Sequence, residues 1–383
     1  MKLECLQENL AEGLTVVGRV VPTKSTLPVL SNVLLSTRDG ELQLTANNLE
    51  LSVAHRVPAA IAREGEITLP SRLLSDYVAL LDHGQKVELD LNSKTHKVHL
   101  ACGRYEANVA GIDAEDFPPI PAVSGGTSFS IPAGLLKEAI NEVVFAAAPD
   151  DTRPVLAGVL LKMGGGSLTL AAADGFRLAV RTVELPEGGP DLQMIVPAKT
   201  LIEVARLLSS AADDDQVAIN TTPNGNQIYF AFGKTEITSR LIEGQFPDYQ
   251  RIIPPDAKTK VKVSTTDFLR ATRAAAVFAR DNSNIVRLEC SPSKEDAELA
   301  LGSILVKSTS AEMGDNEGNL DAVVEGDDTQ IAFNGRYLRD ALEAIDTPEV
   351  LLQITGPSSP GIIRPAGEPN GYLHVIMPMH VAR

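Results

Sequence analysis

Residues 28–35, PVLSNVLL, recur almost unchanged as PVLAGVLL at residues 154–161. The two stretches are identical at six of eight positions and are separated by 126 residues. Self-similarity inside one chain is the mark of a repeated structural unit. This pair alone predicts two related domains.

A second pattern extends the repeat to three copies. It reads ITLPSRLLSDYVALL at 67–81, MIVPAKTLIEVARLL at 194–208 and IAFNGRYLRDALEAI at 331–345. Each copy is then closed by a dipeptide ending in proline: Phe117-Pro118, Phe246-Pro247 and Met377-Pro378. Linker-like stretches rich in proline follow the first two dipeptides. We therefore predict three domains, at residues 1–124, 125–255 and 256–383.

Each copy combines two helical segments with many short strands. The helical windows are 7–21, 71–81, 132–148, 197–208, 264–280 and 334–345. In the third window Leu136, Ala139, Ile140 and Val143 follow the spacing of one buried helix face. Alternating runs such as KVELDLN, punctuated by glycine turns, predict antiparallel strands. Helices covering one face of antiparallel sheet give an α+β class.

Composition limits the possible functions. The chain has a net charge of −16, which argues against a protein that grips phosphates over its whole surface. No signal peptide and no long apolar run is evident, so a cytoplasmic protein without membrane contact is expected. Cys5, Cys102 and Cys290 are widely separated and suggest neither disulfides nor a zinc site.

The acidity is not spread evenly along the chain. The six helical windows together contain ten basic and nine acidic side chains, although the whole chain is strongly negative. Arg270, Arg273 and Arg280 share one side of the fifth window. Two interpretations stay open: an ordinary solvated helix surface, and a weakly positive lining around DNA.

Five stretches follow one another along the whole chain: TLPVLSNVLL at 26–35, LTANNLELSV at 44–53, ADGFRLAV at 173–180, LIEGQFPDYQRIIP at 241–254 and VIMPMHV at 375–381. Together they resemble the bacterial β sliding clamps, the processivity subunits of DNA polymerase III. The resemblance implies three tandem copies of the DNA-clamp fold, each with two helices packed on antiparallel sheet. Two such chains would form a head-to-tail homodimeric ring around double-stranded DNA.

The resemblance also implies sites. It places Lys24, Arg72, Lys199 and Arg206 towards DNA. It implies a hydrophobic pocket for short peptides of the replicative DNA polymerase, the clamp loader and other proteins bearing clamp-binding peptides. The lining of that pocket maps to Leu156, Gly175, Phe176, Arg177, Leu178, Pro247, Arg251, Ile252, Val375, Met377, Pro378 and Met379. Phe176 and His380 depart from the polar ring and the basic residue common there, so the peptide preference of this chain is expected to differ.

For the dimer seam, the resemblance points to Arg104, Ala107 and Val109 on one chain and to Val277 and Phe278 on the next. Ordinary packing within one domain is the alternative for Val277 and Phe278. For Met377 and Met379, the alternative to a place in the pocket is ordinary packing in the core of a strand.

No motif for catalysis is found in the sequence. It contains neither a GxxxxGK[ST] loop nor an HExxH motif, and the acidic run 213–215 is best interpreted as a turn. We therefore expect no catalytic residues, no metal and no cofactor. Two other functions remain as alternatives: a clamp-like peptide scaffold that does not encircle DNA, and a metal-dependent nucleic-acid-processing enzyme.

Overall fold

The structure is a computed structural model. It describes residues 1–38, 40–120, 125–150, 152–185, 188–280, 283–293, 302–312, 314–367 and 371–380. The described residues include six α-helices: α1 (Gln7–Gly18), α2 (Ser71–Ala79), α3 (Ala133–Val143), α4 (Ala198–Leu208), α5 (Thr265–Ala279) and α6 (Gly335–Glu343). All six lie in the predicted windows. None of them is long and apolar enough to span a bilayer.

Local sequence explains where the helices begin and which face they bury. The Ser264 side chain caps α5 by accepting a hydrogen bond from the backbone N–H of Asp267. Phe268, Ala275 and Ala279, at helical spacing, are fully buried. The predicted third window is longer than the helix, because the chain tightens after Val143 into a 3-10 turn, Val144–Ala146.

The strands of the described residues form three antiparallel sheets. The first has the order β5 (Ala59–Arg63), β1 (Lys2–Leu6), β7 (Lys86–Asn92), β8 (Lys97–Cys102), β9 (Tyr105–Ala110). The second has the order β10 (Ser128–Pro132), β15 (Gln216–Thr221), β16 (Gln227–Phe232), β17 (Thr235–Arg240), β4 (Leu51–Val57), β3 (Glu41–Asn47), β2 (Asn32–Arg38), β6 (Glu66–Pro70).

The third sheet is the longest. Its order is β14 (Leu192–Pro197), β11 (Gly158–Gly164), β12 (Ser167–Ala173), β13 (Arg177–Glu184), β25 (Tyr372–Ile376), β24 (Gly361–Pro365), β23 (Glu349–Ile354), β18 (Thr259–Ser264), β21 (Gly314–Gly326), β20 (Gly302–Ser310), β19 (Ile285–Ser291), β22 (Thr329–Asn334). Helices over antiparallel sheet confirm the predicted α+β class.

The chain folds into two compact units, and the middle sequence repeat contributes residues to both. The first unit holds residues 1–134 and 206–241, and the second holds 135–205 and 242–383. The cause is strand pairing between repeats. β17 pairs with β4, with Ile237 opposite Val53, and β25 pairs with β13, with Leu373 opposite Val180. The predicted borders remain a prediction, and the first lies in 121–124, outside the described residues.

Candidate functional site

The turn between β12 and β13 holds an aromatic ring in solvent. The Asp174 carboxylate accepts hydrogen bonds from the backbone N–H groups of Phe176 (2.9 Å) and Arg177 (3.1 Å). Gly175 has a φ of +93°, and a Cβ there would lie 2.8 Å from Nη1 of Arg153. The positive φ favours glycine at this position, and a larger residue would also displace the end of the flexible Arg153 side chain. The Phe176 side chain, fixed at the tip, is 59% exposed.

Arg177, in contrast, lies beneath the surface and uses its donors within the protein. Its Nε donates to Asp174 (3.0 Å) and its Nη1 to Asp340 of α6 (2.7 Å). Its Nη2 donates to the backbone carbonyl of Phe145 (2.6 Å). The guanidinium also lies 4.5 Å from the ring centroid of Tyr337. This network ties the turn to α6 and makes Arg177 a support for the turn that carries Phe176.

The segment after β25 lies beside the same turn. The N–H of Met377 donates to the carbonyl of Phe176 (2.9 Å), and the N–H of Met379 donates to the carbonyl of Ala332 in β22 (2.8 Å). Met377 is 40% exposed, whereas Pro378 and Met379 are half-buried. Met377 and Phe176 are therefore direct neighbours on the surface.

Two other predicted segments converge on the core below this turn. A buried cluster contains Phe246, Leu178 and Val375, and Val155 and Ile253 pack against it. Pro247 is exposed. The 3-10 turn Tyr249–Ile252 follows it, and in this turn Arg251 is exposed and Ile252 is 41% exposed. Arg251 forms an ion pair with Asp248 at 2.8 Å. Leu156 is half-buried in another 3-10 turn, Pro154–Ala157.

Of the twelve predicted pocket residues, Leu178 and Val375 are core, each 1% exposed, and lie opposite each other in the sheet. Besides Pro247, the exposed apolar side chains among the twelve are Phe176, Ile252 and Met377. We call these three, with half-buried Leu156, the Phe176–Met377 surface. Adaptable thioether and rigid aromatic groups of this kind suit the binding of apolar side chains.

Sequence reasoning missed the residues that support this surface. Tyr337 and Asp340 were counted only as helix residues, because nothing in their spacing shows that they meet Arg177. His374 was also missed. It is fully buried and stacks on Phe145 with ring centroids 5.5 Å apart. Burial, followed by the charge of Arg177, lowers the pKa of His374 to about 3.

The predicted DNA-facing residues are distributed over three elements. Lys24 is exposed in the loop after α1. The Arg72 side chain on α2 is 96% exposed and lies 3.9 Å from Asp76. On α4, Lys199 is exposed and Arg206 is half-buried.

The predicted seam strand β9 is an edge strand. It ends the first sheet, with β8 as its only paired neighbour among the described strands. Arg104 is exposed, Ala107 is half-buried, and Val109 is 6% exposed and faces the core. Two further apolar residues are exposed in the same repeat: Tyr105 on β9, which is 53% exposed, and Leu73 on α2, which is 54% exposed.

The other predicted side of the seam lies on α5. Val277 is 50% exposed and Phe278 is half-buried. This helix packs against β20 and β21. Over residues 314–322, β21 has one paired neighbour, β20, because β18 pairs only with residues 323–326. A second open strand edge is thus present in the described part of the chain, with the exposed Val323 at its end.

Comparison with known families accounts for nearly the whole chain. Residues 1–121 match the N-terminal domain of the DNA polymerase III beta subunit. Residues 130–248 match its central domain, and residues 250–380 match its C-terminal domain.

Individual relatives agree with these matches. The chain is 32% identical to the beta sliding clamp of Synechococcus elongatus over 100% of both chains. It is 30% identical to that of Staphylococcus aureus over 94% of both. Among solved structures, the sliding clamp of Bacillus subtilis superposes with a TM-score of 0.92 at 28% sequence identity. The DNA polymerase III subunit beta of Pseudomonas aeruginosa superposes with a TM-score of 0.91 at 30% sequence identity. Each match covers 100% of both chains. The chain therefore belongs to the DNA polymerase III β subunit family, the β sliding clamps.

Proposed function

We propose that this sliding clamp closes head to tail with a second copy into a ring around duplex DNA, and that it has no catalytic site of its own. The observation that carries this proposal is an antiparallel strand seam that occurs twice within the chain. One seam joins β17 to β4 and the other joins β25 to β13. Among the described strands, one counterpart of β17 and β25 and one counterpart of β4 and β13 have no such seam within the chain.

The leftover strands are β9 and β21. β9 follows β8 in its hairpin as β17 follows β16. β21 follows β20 across a short turn, as β4 follows β3 and β13 follows β12. A third seam would pair β9 of one copy with β21 of another. Because the two edges differ, the contact is heterologous, and such contacts close into rings when the rotation allows it.

Exposed apolar side chains accompany both open edges. Tyr105 lies on β9, Val323 lies on β21, and Val277 lies on α5, which packs against β21; all three are between 44% and 53% exposed. Burial of apolar surface is the main favourable term in most protein association. These residues would be covered in the third seam.

DNA would be held loosely by the helices. The six described helices contain eight basic and nine acidic side chains, which leaves them near neutral in a chain of charge −16. A few cations facing phosphates, with Lys24, Arg72, Lys199 and Arg206 as candidates, supply affinity without reading bases. Adjacent positions along the duplex are then nearly equal in energy, which permits sliding.

Partner proteins would dock on the Phe176–Met377 surface. Short peptides of the replicative polymerase, the clamp loader and other DNA-processing proteins would place apolar side chains against Phe176, Ile252 and Met377. The Arg177 network supports this assignment, since it fixes the turn that carries Phe176. Docking proteins on a ring linked to DNA would make synthesis processive.

Retention on nicked circular DNA tests the proposal. The protein is loaded with a clamp loader and ATP, and the DNA is then cut to a linear form. Retention that is lost on cutting supports a topological link. Equal retention on both forms would contradict it, and no retention with normal peptide binding would favour a scaffold that does not encircle DNA.

A further inference from the structure

The first compact unit repeats the turn that carries Phe176. Between β3 and β4, Oδ1 of Asn48 accepts from the N–H groups of Glu50 (3.0 Å) and Leu51 (2.8 Å). This is the bonding that Asp174 provides in the second unit. The N–H of Asn48 donates to the carbonyl of Leu51 (3.1 Å), as that of Asp174 donates to Arg177 (3.3 Å).

The neighbouring strand repeats as well. The N–H of Arg240 donates to the carbonyl of Glu50 (3.0 Å), which matches the bond from Met377 to Phe176 (2.9 Å). Phe117 is 6% exposed before Pro118, just as Phe246 is 5% exposed before Pro247. The two units therefore share one backbone framework. Glu50 stands in place of Phe176, and Arg240 stands in place of Met377.

A cavity opens on this framework in the first unit. Its volume is about 270 Å³, and its lining includes Leu49, Pro118, Pro119, Ile120, Glu50 and Arg240. Small-molecule sites typically enclose about 300–1,000 Å³. The smaller space fits one or two side chains of an extended peptide better than a whole ligand.

Leu49 is held in a strained conformation inside this lining. Its φ is +77°, a region that a bulky residue rarely occupies and that costs on the order of 1–3 kcal/mol. The position corresponds to Gly175 in the other turn. Core packing does not explain the leucine, because its side chain is 45% exposed. The strain is explained if Leu49 is an apolar contact for a ligand.

Charge in the cavity is supplied by two residues. Arg240 is exposed and forms no ion pair with any described residue. Glu50 is the other charged residue of the lining, and it is also exposed. A guanidinium without a partner next to apolar side chains is suited to a peptide carboxylate.

We propose that this cavity is a second peptide-docking site, which takes an extended segment of a partner protein. An apolar side chain of the segment rests on Leu49 and Ile120, and an acidic side chain of the segment pairs with Arg240. The inference rests on the proposed peptide docking, because it assigns the same kind of ligand to the repeated framework. Its chemistry differs, since the peptide must carry a carboxylate.

Methyl NMR of the full-length, isoleucine- and leucine-labelled protein tests this site. The probe is the peptide acetyl-Leu-Asp-Leu-Lys-amide, and its Asn analogue is the matched control. Saturable shifts of the Ile120 methyl, assigned with Ile120→Val, are expected with the Asp peptide. The peptide concentration that gives half of the maximal shift should rise at least tenfold with the Asn peptide and with Arg240→Gln. Met377→Ala should leave that concentration unchanged.

Leu49→Asn is a second variant that keeps the fold, because asparagine tolerates a positive φ. It should weaken the peptide shifts without lowering the melting temperature. Absence of saturable shifts, or shifts that Arg240→Gln leaves intact, would overturn the proposal. Retention on circular DNA does not involve Arg240, so a failure here is distinguishable from a failure of the clamp function.

Discussion

Replacing Arg177 with alanine should destabilise the second compact unit by about 3 kcal/mol. The guanidinium is 10% exposed and bridges the Asp174 and Asp340 carboxylates, which are 9% and 22% exposed. Its removal leaves both carboxylates without this partner and loses the bond to Phe145. Breaking a buried pair from one side costs roughly 3–5 kcal/mol, and partial exposure of Asp340 favours the lower end.

The assay is urea unfolding followed by circular dichroism, with Arg251→Ala as a matched control. Arg251 also pairs with an aspartate, at 2.8 Å, but its side chain is 86% exposed. Such a pair contributes only about 0–1 kcal/mol. The Arg177→Ala and Asp340→Ala variants and their double mutant complete a thermodynamic cycle, in which residues of one network couple by about 0.5–3 kcal/mol.

Two results would refute this reasoning. One is an unfolding midpoint for Arg177→Ala no lower than that of Arg251→Ala. The other is additivity of Arg177→Ala and Asp340→Ala within about 0.5 kcal/mol, which would mean that the contact carries no coupling. Arg177→Lys should rescue little, because a single ammonium cannot reproduce three bonds in a fixed fork.

Three other predictions concern different parts of the molecule. Met377→Ala should weaken binding of polymerase-derived peptides about tenfold in fluorescence polarisation, with an unchanged dimer; equal affinity would remove Met377 from the docking surface. Val277→Asp should give monomers in sedimentation because it places a charge in an apolar seam. The control Ile202→Asp, at a residue 52% exposed on α4, should remain dimeric. A dimer that persists in Val277→Asp would contradict the seam. Since burial lowers the pKa of His374 from 6.5 to about 3, the unfolded chain binds the proton first as pH falls, and stability is lost below pH 6.5. The difference in unfolding free energy between His374→Phe and the parent should therefore grow by about 2 kcal/mol from pH 7 to pH 5, and a constant difference would be inconsistent with a neutral buried imidazole.

The helices and the α+β class could be predicted because their signals are local. Apolar spacing within α5 and the cap at Ser264 depend on neighbours a few residues away. The repeat, too, is visible without knowing any contact. Pairing of β17 with β4 was not foreseen, because it joins residues about 180 positions apart and leaves no periodic trace.

The residues that the resemblance assigns to the pocket differ in how the structure exposes them. Phe176 and Met377 are neighbours on the surface, as the pocket hypothesis requires. Leu178 and Val375, which the resemblance also assigns to the pocket, lie in the buried cluster because strand alternation turns them inward. Arg177 illustrates what sequence could not predict, because its partners Asp340 and Phe145 lie far away in sequence.

Because the middle repeat is divided between two sheets, the seams within the chain and the proposed seam between copies should respond differently to dilution of the protein. The β17–β4 and β25–β13 seams join strands of one chain, so each closes at an effective concentration of the order of millimolar, whatever the amount of protein. A seam between β9 and β21 of separate copies has no such tether. Lowering the protein concentration would separate the copies there first, and the place where a ring opens is thus set by the covalent connectivity of the chain.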